Sequence, residues 1–366
     1  MKWYLKAADQ GNSDAQNEIG LMYFNGNGVS QDYHEAMEWY LEAADQGNSD
    51  AQSEIGFMYF NGNGVSKDYH QAMAWFLKAA NHGHAVAQSD VGGMYYNGHG
   101  VPQDYREAMK WYLKAANQGH AVAQINVGSM YCNGHGVSQD YHQAMEWFLK
   151  AANQGHAVAQ INVGGMYYNG HGVLQDHQKA MEWCLKAADQ GNAFSQNRIG
   201  GMHRDGLEVP QDYREAMKWY RKAADQGYDV AQINVGGMYE SGYGVLLDHH
   251  EAMKWYQKAA DQGNSEAQNR IALLHIAPPS MFFSGHVVSQ DYHEAIEWYL
   301  KVVSQGNAVA QINIGDMYRN GHGYPQDYHK AVGWYLKAAN QGIFSAQRNL
   351  SEMYLDGHGA PKDFHI

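Results

Sequence analysis

The chain has 366 residues, 25 Lys+Arg against 38 Asp+Glu, a formal charge of −13, and 45% hydrophobic residues. That apolar content excludes a disordered chain, and the acidic balance excludes the basic stripe that nucleic acid or an anionic membrane surface requires. Only two cysteines occur, Cys132 and Cys184, so no disulfide framework and no cysteine-based metal site is expected.

The first residues, MKWYLKAADQ, hold no apolar signal core, and no run of ~18 apolar residues occurs anywhere. No membrane insertion and a cytoplasmic location are therefore the expectations. The chain opens inside a repeat at Trp3, without the polar cap usual for terminal repeats, and uncapped ends offer a route to oligomers.

All ten tryptophans, from Trp3 to Trp334, mark one repeating phrase; eight of their nine intervals are 36 residues and the interval from Trp255 to Trp298 is 43. A fixed period in this range is the signature of a stacked array. Numbered from a recurrent glycine as position 1, the array predicts a half unit at 1–10 and full units at 11–46, 47–82, 83–118, 119–154, 155–190, 191–226 and 227–262. A unit at 263–305 with seven added residues, a unit at 306–341 and a half unit at 342–366 follow.

Each full unit reads as two helices. In the unit at Gly155 the first helix carries an apolar stripe of Ala159, Val163, Met166 and Tyr167, at helical spacing. Asn169-Gly170 stops it, because glycine tolerates the left-handed conformation of a helix end. The second helix opens at an aspartate present in every unit, such as Asp104, with Glu three residues later in five units and Gln in two. This pattern predicts a reciprocal capping box and a structural role for the aspartates. In the unit at Gly119 the second helix is expected to bury Tyr141, Ala144, Met145, Phe148, Ala151 and Ala152.

Two units depart from the phrase. The loop at Gly206 loses its second glycine to Glu208, and the unit at Gly263 gains residues around Pro278, Pro279, Met281, Phe282 and Phe283, a candidate docking loop.

The 21 histidines fall into fixed phases of the repeat, and equivalent atoms in adjacent units lie roughly 10 Å apart, too far to share one zinc ion. They are read as solvated side chains, with no metal and no cofactor. No nucleophile elbow or phosphate loop is present, and catalysis is not expected.

The first-helix positions that change between units are 4, 7, 8, 11 and 14, which share one face. That face is expected to be free of stacking and to take a partner protein or extended peptide segment. Its candidate residues are Asn126, Asn162, Asn234 and Asn313 as an amide ladder, Ile125, Ile161 and Ile233 beside it, Tyr96 and Tyr168, and the basic Arg198 and Arg204. The second helix's outer side, with Glu107, Lys110 and Lys114, is expected to be solvated.

The pattern A-Q-x-x-[IV]-G-x-M-Y-x-N-G-x-G-V-x-x-D-Y-x-x-A-M-x-W-Y-x-K-A-A resembles the Sel1-like repeat, a cousin of the tetratricopeptide repeat, over essentially the whole chain. The resemblance implies an all-α, right-handed α/α superhelical solenoid whose variable face lines a concave groove. It also implies a scaffold for protein complexes; the alternatives are a regulatory activator of a membrane or cell-wall-synthesis enzyme and a β-lactam-hydrolase-like enzyme. Some cysteine-rich relatives are linked to β-lactam binding or hydrolysis, and the paired cysteines of those proteins are absent here.

Overall fold

The computed structural model describes residues 1–207, 209–276 and 291–358. The described residues form helices joined by short turns and contain no strand. Glu208 and the residues Pro278, Pro279, Met281, Phe282 and Phe283 lie outside the described residues.

The chain divides into two compact units, Met1–Ala187 and Ala188–Ile366. The first holds α1 (Lys2–Ala8), α2 (Ser13–Asn25), α3 (Tyr33–Asp45), α4 (Ser49–Asn61), α5 (Tyr69–Asn81), α6 (Ala85–Asn97), α7 (Tyr105–Asn117), α8 (Ala121–Asn133), α9 (Tyr141–Asn153), α10 (Ala157–Asn169) and most of α11 (His177–Asp189). The second holds α12 (Ala193–Asp205), α13 (Tyr213–Ala224), α14 (Asp229–Ser241), α15 (His249–Asp261), α16 (Ser265–Ile276), α17 (Tyr292–Val303), α18 (Ala308–Asn320), α19 (Tyr328–Ala339) and α20 (Phe344–Leu355).

The turn chemistry explains these boundaries. Gly170 ends α10 in the left-handed conformation at φ 71°, and its equivalents do the same for α2, α4, α6, α8, α12, α14 and α18. The second loop glycine, Gly172 (φ 69°), meets a further constraint, since a Cβ there would lie 2.4 Å from the Tyr141 carbonyl oxygen. Asp104 caps α7 by accepting from the Arg106 and Glu107 backbone N–H groups at 2.8 and 3.1 Å. The reciprocal half of the expected capping box does not form. The Asp104 backbone N–H donates instead to the Tyr95 carbonyl at 2.9 Å, tying the loop to α6, and Glu107 turns to Lys110. The same backbone bond recurs at Asp32, Asp68, Asp140, Asp176, Asp212, Asp248, Asp291 and Asp327.

The expected apolar core is largely present, with one shift. Ala144, Met145, Phe148, Ala151 and Ala152 of α9 are buried, together with Ala159, Val163 and Met166 of α10, whereas Tyr141 and Tyr167 are only half-buried. Trp147 and Trp255 are buried outright. The outer side of the second helices is not simply solvated. Lys114 Nζ lies 3.6 Å from the centre of the Trp111 ring, and Lys78, Lys150, Lys186, Lys222 and Lys258 repeat the arrangement on their own tryptophans. A cation over an indole face contributes about 0.5–1 kcal/mol at such exposed sites.

The histidines also do more than meet solvent. His84 and His120 are helix N-caps whose Nδ1 accepts from the Ala87 and Ala123 backbone N–H groups. His99, His135, His171, His322 and His358 stack on Tyr69, Tyr105, Tyr141, Tyr292 and Tyr328, at centroid distances of 4.1–4.7 Å. Among the described residues no three His, Cys, Asp or Glu side chains are grouped to hold a metal ion.

One ordering feature is polar and buried. Gln124 on α8 donates through Nε2 to the Ala116 carbonyl at the end of α7 (3.1 Å). Its Oε1 in turn accepts from Gln154 Nε2 at the end of α9 (2.8 Å). The same relay runs through Gln88 with Ala80 and Gln118, Gln196 with Ala188 and Gln226, and Gln232 with Ala224 and Gln262. One buried amide thus joins three successive helices.

In the unit at Gly47 the donating glutamine is replaced by His82, and Gln52 Oε1 is left buried with no hydrogen-bond partner. His82 holds the same backbone conformation (φ −83°, ψ 6°) as Gln118 (φ −82°, ψ 1°). Replacing His82→Gln therefore completes the relay and is expected to stabilise the first unit by about 0.5–1.5 kcal/mol. The check is the urea midpoint together with amide hydrogen exchange across α4 and α5. An unchanged or lowered midpoint would refute the role assigned to the relay.

Candidate functional site

The variable positions of the first helices are fixed in space by the relay and by a glycine–aromatic contact. In the unit at Gly83, Gly92 of α6 lies under the Tyr112 ring of α7, and a Cβ there would stand 2.7 Å from Tyr112 Cδ1. The adjoining Gly93 leaves open space in front of the Tyr112 hydroxyl. Position 8 then forms a half-buried column that reads Glu18, Glu54, Asp90, Asn126 and Asn162 in the first compact unit. In the second unit the same position reads Arg198, Asn234, Arg270, Asn313 and Asn349. Position 4 adds exposed valines beside it, Val86, Val122 and Val158 in the first unit and Val230 and Val309 in the second.

Two adjoining hollows open on this face of the first unit. One, of about 200 Å³, is walled by Phe57, Phe60, Phe76, Tyr112 and Val122, with Asp90 and Asn126 among its polar groups. The other, of about 280 Å³, is bordered by Tyr96, Asn97, Tyr112, Asn126, Ser129 and Met130. A wider recess near Gln103, Arg106 and Gly136 lies at the loop edge. Its carboxylate, Asp104, is committed to capping α7.

Of the expected site residues, Asn126 faces both hollows. Asn162 is half-buried on the same face. Asn234 donates through Nδ2 to Asn197 Oδ1 at 2.8 Å, and Asn313 Nδ2 is buried with no hydrogen-bond partner. The sequence reading expects this face to be free of stacking, and it is not. Ile125 packs on the core formed by α9 and α10, and Ile233 on the core formed by α15 and α16. Ile161 is half-buried. Tyr96 is engaged as well: its ring meets Tyr105 at 5.0 Å and its hydroxyl lies 2.9 Å from His135 Nδ1. Tyr168 meets the His177 ring edge-on at 4.8 Å.

The basic residues of the second unit are largely neutralised by neighbours. Arg204 pairs with Asp205 at 2.7 Å, and Arg270 with Glu266 at 2.9 Å and Glu240 at 3.8 Å. Arg319 and Arg348 both reach Glu352. Arg198 is half-buried in the position-8 column.

The acids of the first unit are different. Among the described residues Glu18, Glu54 and Asp90 form no ion pair, and Asp90 Oδ2 is buried with no hydrogen-bond partner. Burial, followed by the charge of Glu54, pushes the Asp90 carboxyl up to about 7; burial and Asp50 push Glu54 in the same direction. Asp90, Phe76 and Tyr112 are the site residues that sequence reasoning missed. Reading position 8 against position 11 down the whole column would have found Asp90.

The arrangement, stacked helix pairs with a variable and pocketed face, defines an α-helical repeat protein suited to binding. The family model described as the Sel1 repeat matches residues 1–12, 13–48, 49–84, 85–120, 121–156, 157–192, 193–228, 229–264, 265–307, 308–343 and 344–366. The chain belongs to the Sel1 repeat family. It is similar to c5321, a protective antigen present in uropathogenic Escherichia coli strains displaying an SLR fold. The two share 36% identity over 99% of this chain and 76% of that one, with a TM-score of 0.79. It is also similar to a Sel1 repeat protein from Oxalobacter formigenes, at 32% identity over 91% of this chain and 93% of that one, with a TM-score of 0.65. No curated protein matches the chain. No described helix is long and apolar enough to cross a membrane. Cys132 is half-buried and Cys184 buried, and no disulfide joins them.

The Asp90 environment sets a pH dependence. Its folded-state value of about 7 lies above the ~3.9 of an unfolded aspartate. Between these values the folded chain holds a proton that the unfolded chain has released, so stability falls as pH rises through that window. The isosteric Asp90→Asn variant removes this loss. Its melting temperature is expected to gain on the wild type progressively from pH ~4 to ~7 and to keep a constant lead above. Parallel melting curves at all pH values would disprove the assignment.

Proposed function

We propose that this chain is a non-catalytic protein-interaction scaffold that holds an extended segment of a partner protein against the variable faces of its first helices. The observation that carries the reading is the division of labour within the repeat. Residues that stack helices recur in nearly every unit, whereas positions 4, 8 and 11 change and present exposed valines beside half-buried polar groups. Membership of a repeat family whose folds match over nearly the whole chain supports it. An extended peptide suits such a face, because its backbone amides pair with side-chain amides while its apolar residues cover the valines.

The amide groups at position 8 would give the backbone contacts. Replacing Asn126, Asn162, Asn234 and Asn313 together by Ala is expected to release the partner while leaving helix content unchanged and melting nearly so. Affinity capture from a lysate of the source organism, with both proteins read by mass spectrometry, checks this. Equal capture by the two would remove the asparagines from the binding surface.

A further inference from the structure

We infer that the hollow walled by Phe57, Phe60 and Tyr112 in the first compact unit receives a cationic side chain, lysine or arginine, from the extended partner segment. This rests on the scaffold reading and deepens it by naming the chemistry of one anchor.

The size of the hollow is the first argument. About 200 Å³ lies below the roughly 300–1,000 Å³ usual for small-molecule sites, and suits one long side chain. Its walls are the second. Phe57 and Phe60 of α4 and Val122 of α8 give apolar surface for an aliphatic stem, and aromatic faces attract the charged head.

A carboxylate lines the same hollow. Asp90 Oδ2 is buried without a partner, Glu54 lies close enough to perturb it, and among the described residues neither acid pairs with a cation. A buried acceptor with no donor costs about 1–3 kcal/mol. An incoming ammonium or guanidinium supplies that donor and offsets the repulsion from Glu54.

This combination of residues occurs once in the sequence. Position 8 is acidic in three units, at Glu18, Glu54 and Asp90. Position 11 of the same units is Leu21, Phe57 and Gly93. The Phe57 ring, at position 11 of the Glu54 unit, packs edge-on against Phe76 at 5.3 Å. Only the unit at Gly83 combines an acid at position 8 with a glycine at position 11. In the next unit Asn126 and Ser129 take those places.

A phage-displayed library of random linear 12-mers, panned on the full chain, tests the inference. The expected result is a peptide family with Lys or Arg fixed at one position. In the synthetic lead peptide, replacing that residue by norleucine should weaken binding about tenfold or more to the wild type. The same replacement should change little with Asp90→Asn. Gly93→Leu gives a second arm that keeps the charge and fills the hollow. A Cβ at Gly93 would meet only the Tyr112 hydroxyl at 3.5 Å, and leucine already stands at the equivalent Leu21 and Leu273. This variant should lose the lead peptide to the same degree, with its helix content unchanged.

Peptides that bind with no basic position, or whose basic residue is indifferent to Asp90→Asn and Gly93→Leu, would overturn the inference and leave the scaffold reading standing. Enrichment of no peptide at all would overturn both.

Discussion

The array depends on a buried amide. Apolar contact is proportional to area and indifferent to direction, so stacked alanines and methionines alone allow neighbouring helices to slide or rotate. A buried glutamine does not allow this, because its carbonyl and its NH₂ group must both find partners or lose the desolvation cost. Gln124 satisfies its NH₂ group at Ala116 and its carbonyl at Gln154, and so fixes the register of α7, α8 and α9 at one point. Each compact unit repeats the device, with Gln88 in the first and Gln196 and Gln232 in the second.

Fixed register has a consequence for binding. Because successive first helices cannot rotate, equivalent side chains fall into columns, and a change at one position alters the surface at one place. Small residues set how close those columns come. Gly92 admits the Tyr112 ring, and Ala115 and Ala116 are fully or almost fully buried at the end of α7. The second loop glycine works similarly, pressing its turn against the Tyr141 carbonyl in the case of Gly172. Backbone, more than side chain, is what these small residues bring together.

Much of this was legible in the sequence, and the failures are instructive. The period, the helix pairs, the aspartate caps and the glycine stops follow from local chemistry and stand as expected. The reciprocal capping box failed because a local motif cannot show that the Asp104 N–H is already committed to Tyr95, nine residues back on another helix. The glutamine relay escaped notice for a similar reason. Gln124 follows Ala123 in a helix, and nothing local says that its polar end points inward to residues 8 and 30 positions away. The histidines looked solvated because their partners, such as Tyr105 for His135, belong to a neighbouring unit. Ile125 and Ile233 vary between units and so look free, yet each packs on a core that the second helix of its own unit shares with the first helix of the next. What periodicity cannot give is contact between units.

Charge illustrates the same limit. By count alone, the second unit offers several arginines on its first helices, and the first unit offers acids. The two are not equivalent as binding surfaces. Arg204, Arg270, Arg319 and Arg348 each have a carboxylate partner within their own unit, so a partner protein must compete with an existing ion pair to use them. Exposed pairs of this kind are worth only about 0–1 kcal/mol, but the competition still reduces their pull. Asp90 has no such partner, and its buried oxygen is costly while it stays unmet. Under the proposed scaffold function, charge-dependent discrimination is weighted toward the first unit, although both units carry charged residues in the same column. Under that same proposal, specificity arises from coincidence between columns, here an acid at one position and a glycine three residues on, within a frame the glutamines hold still.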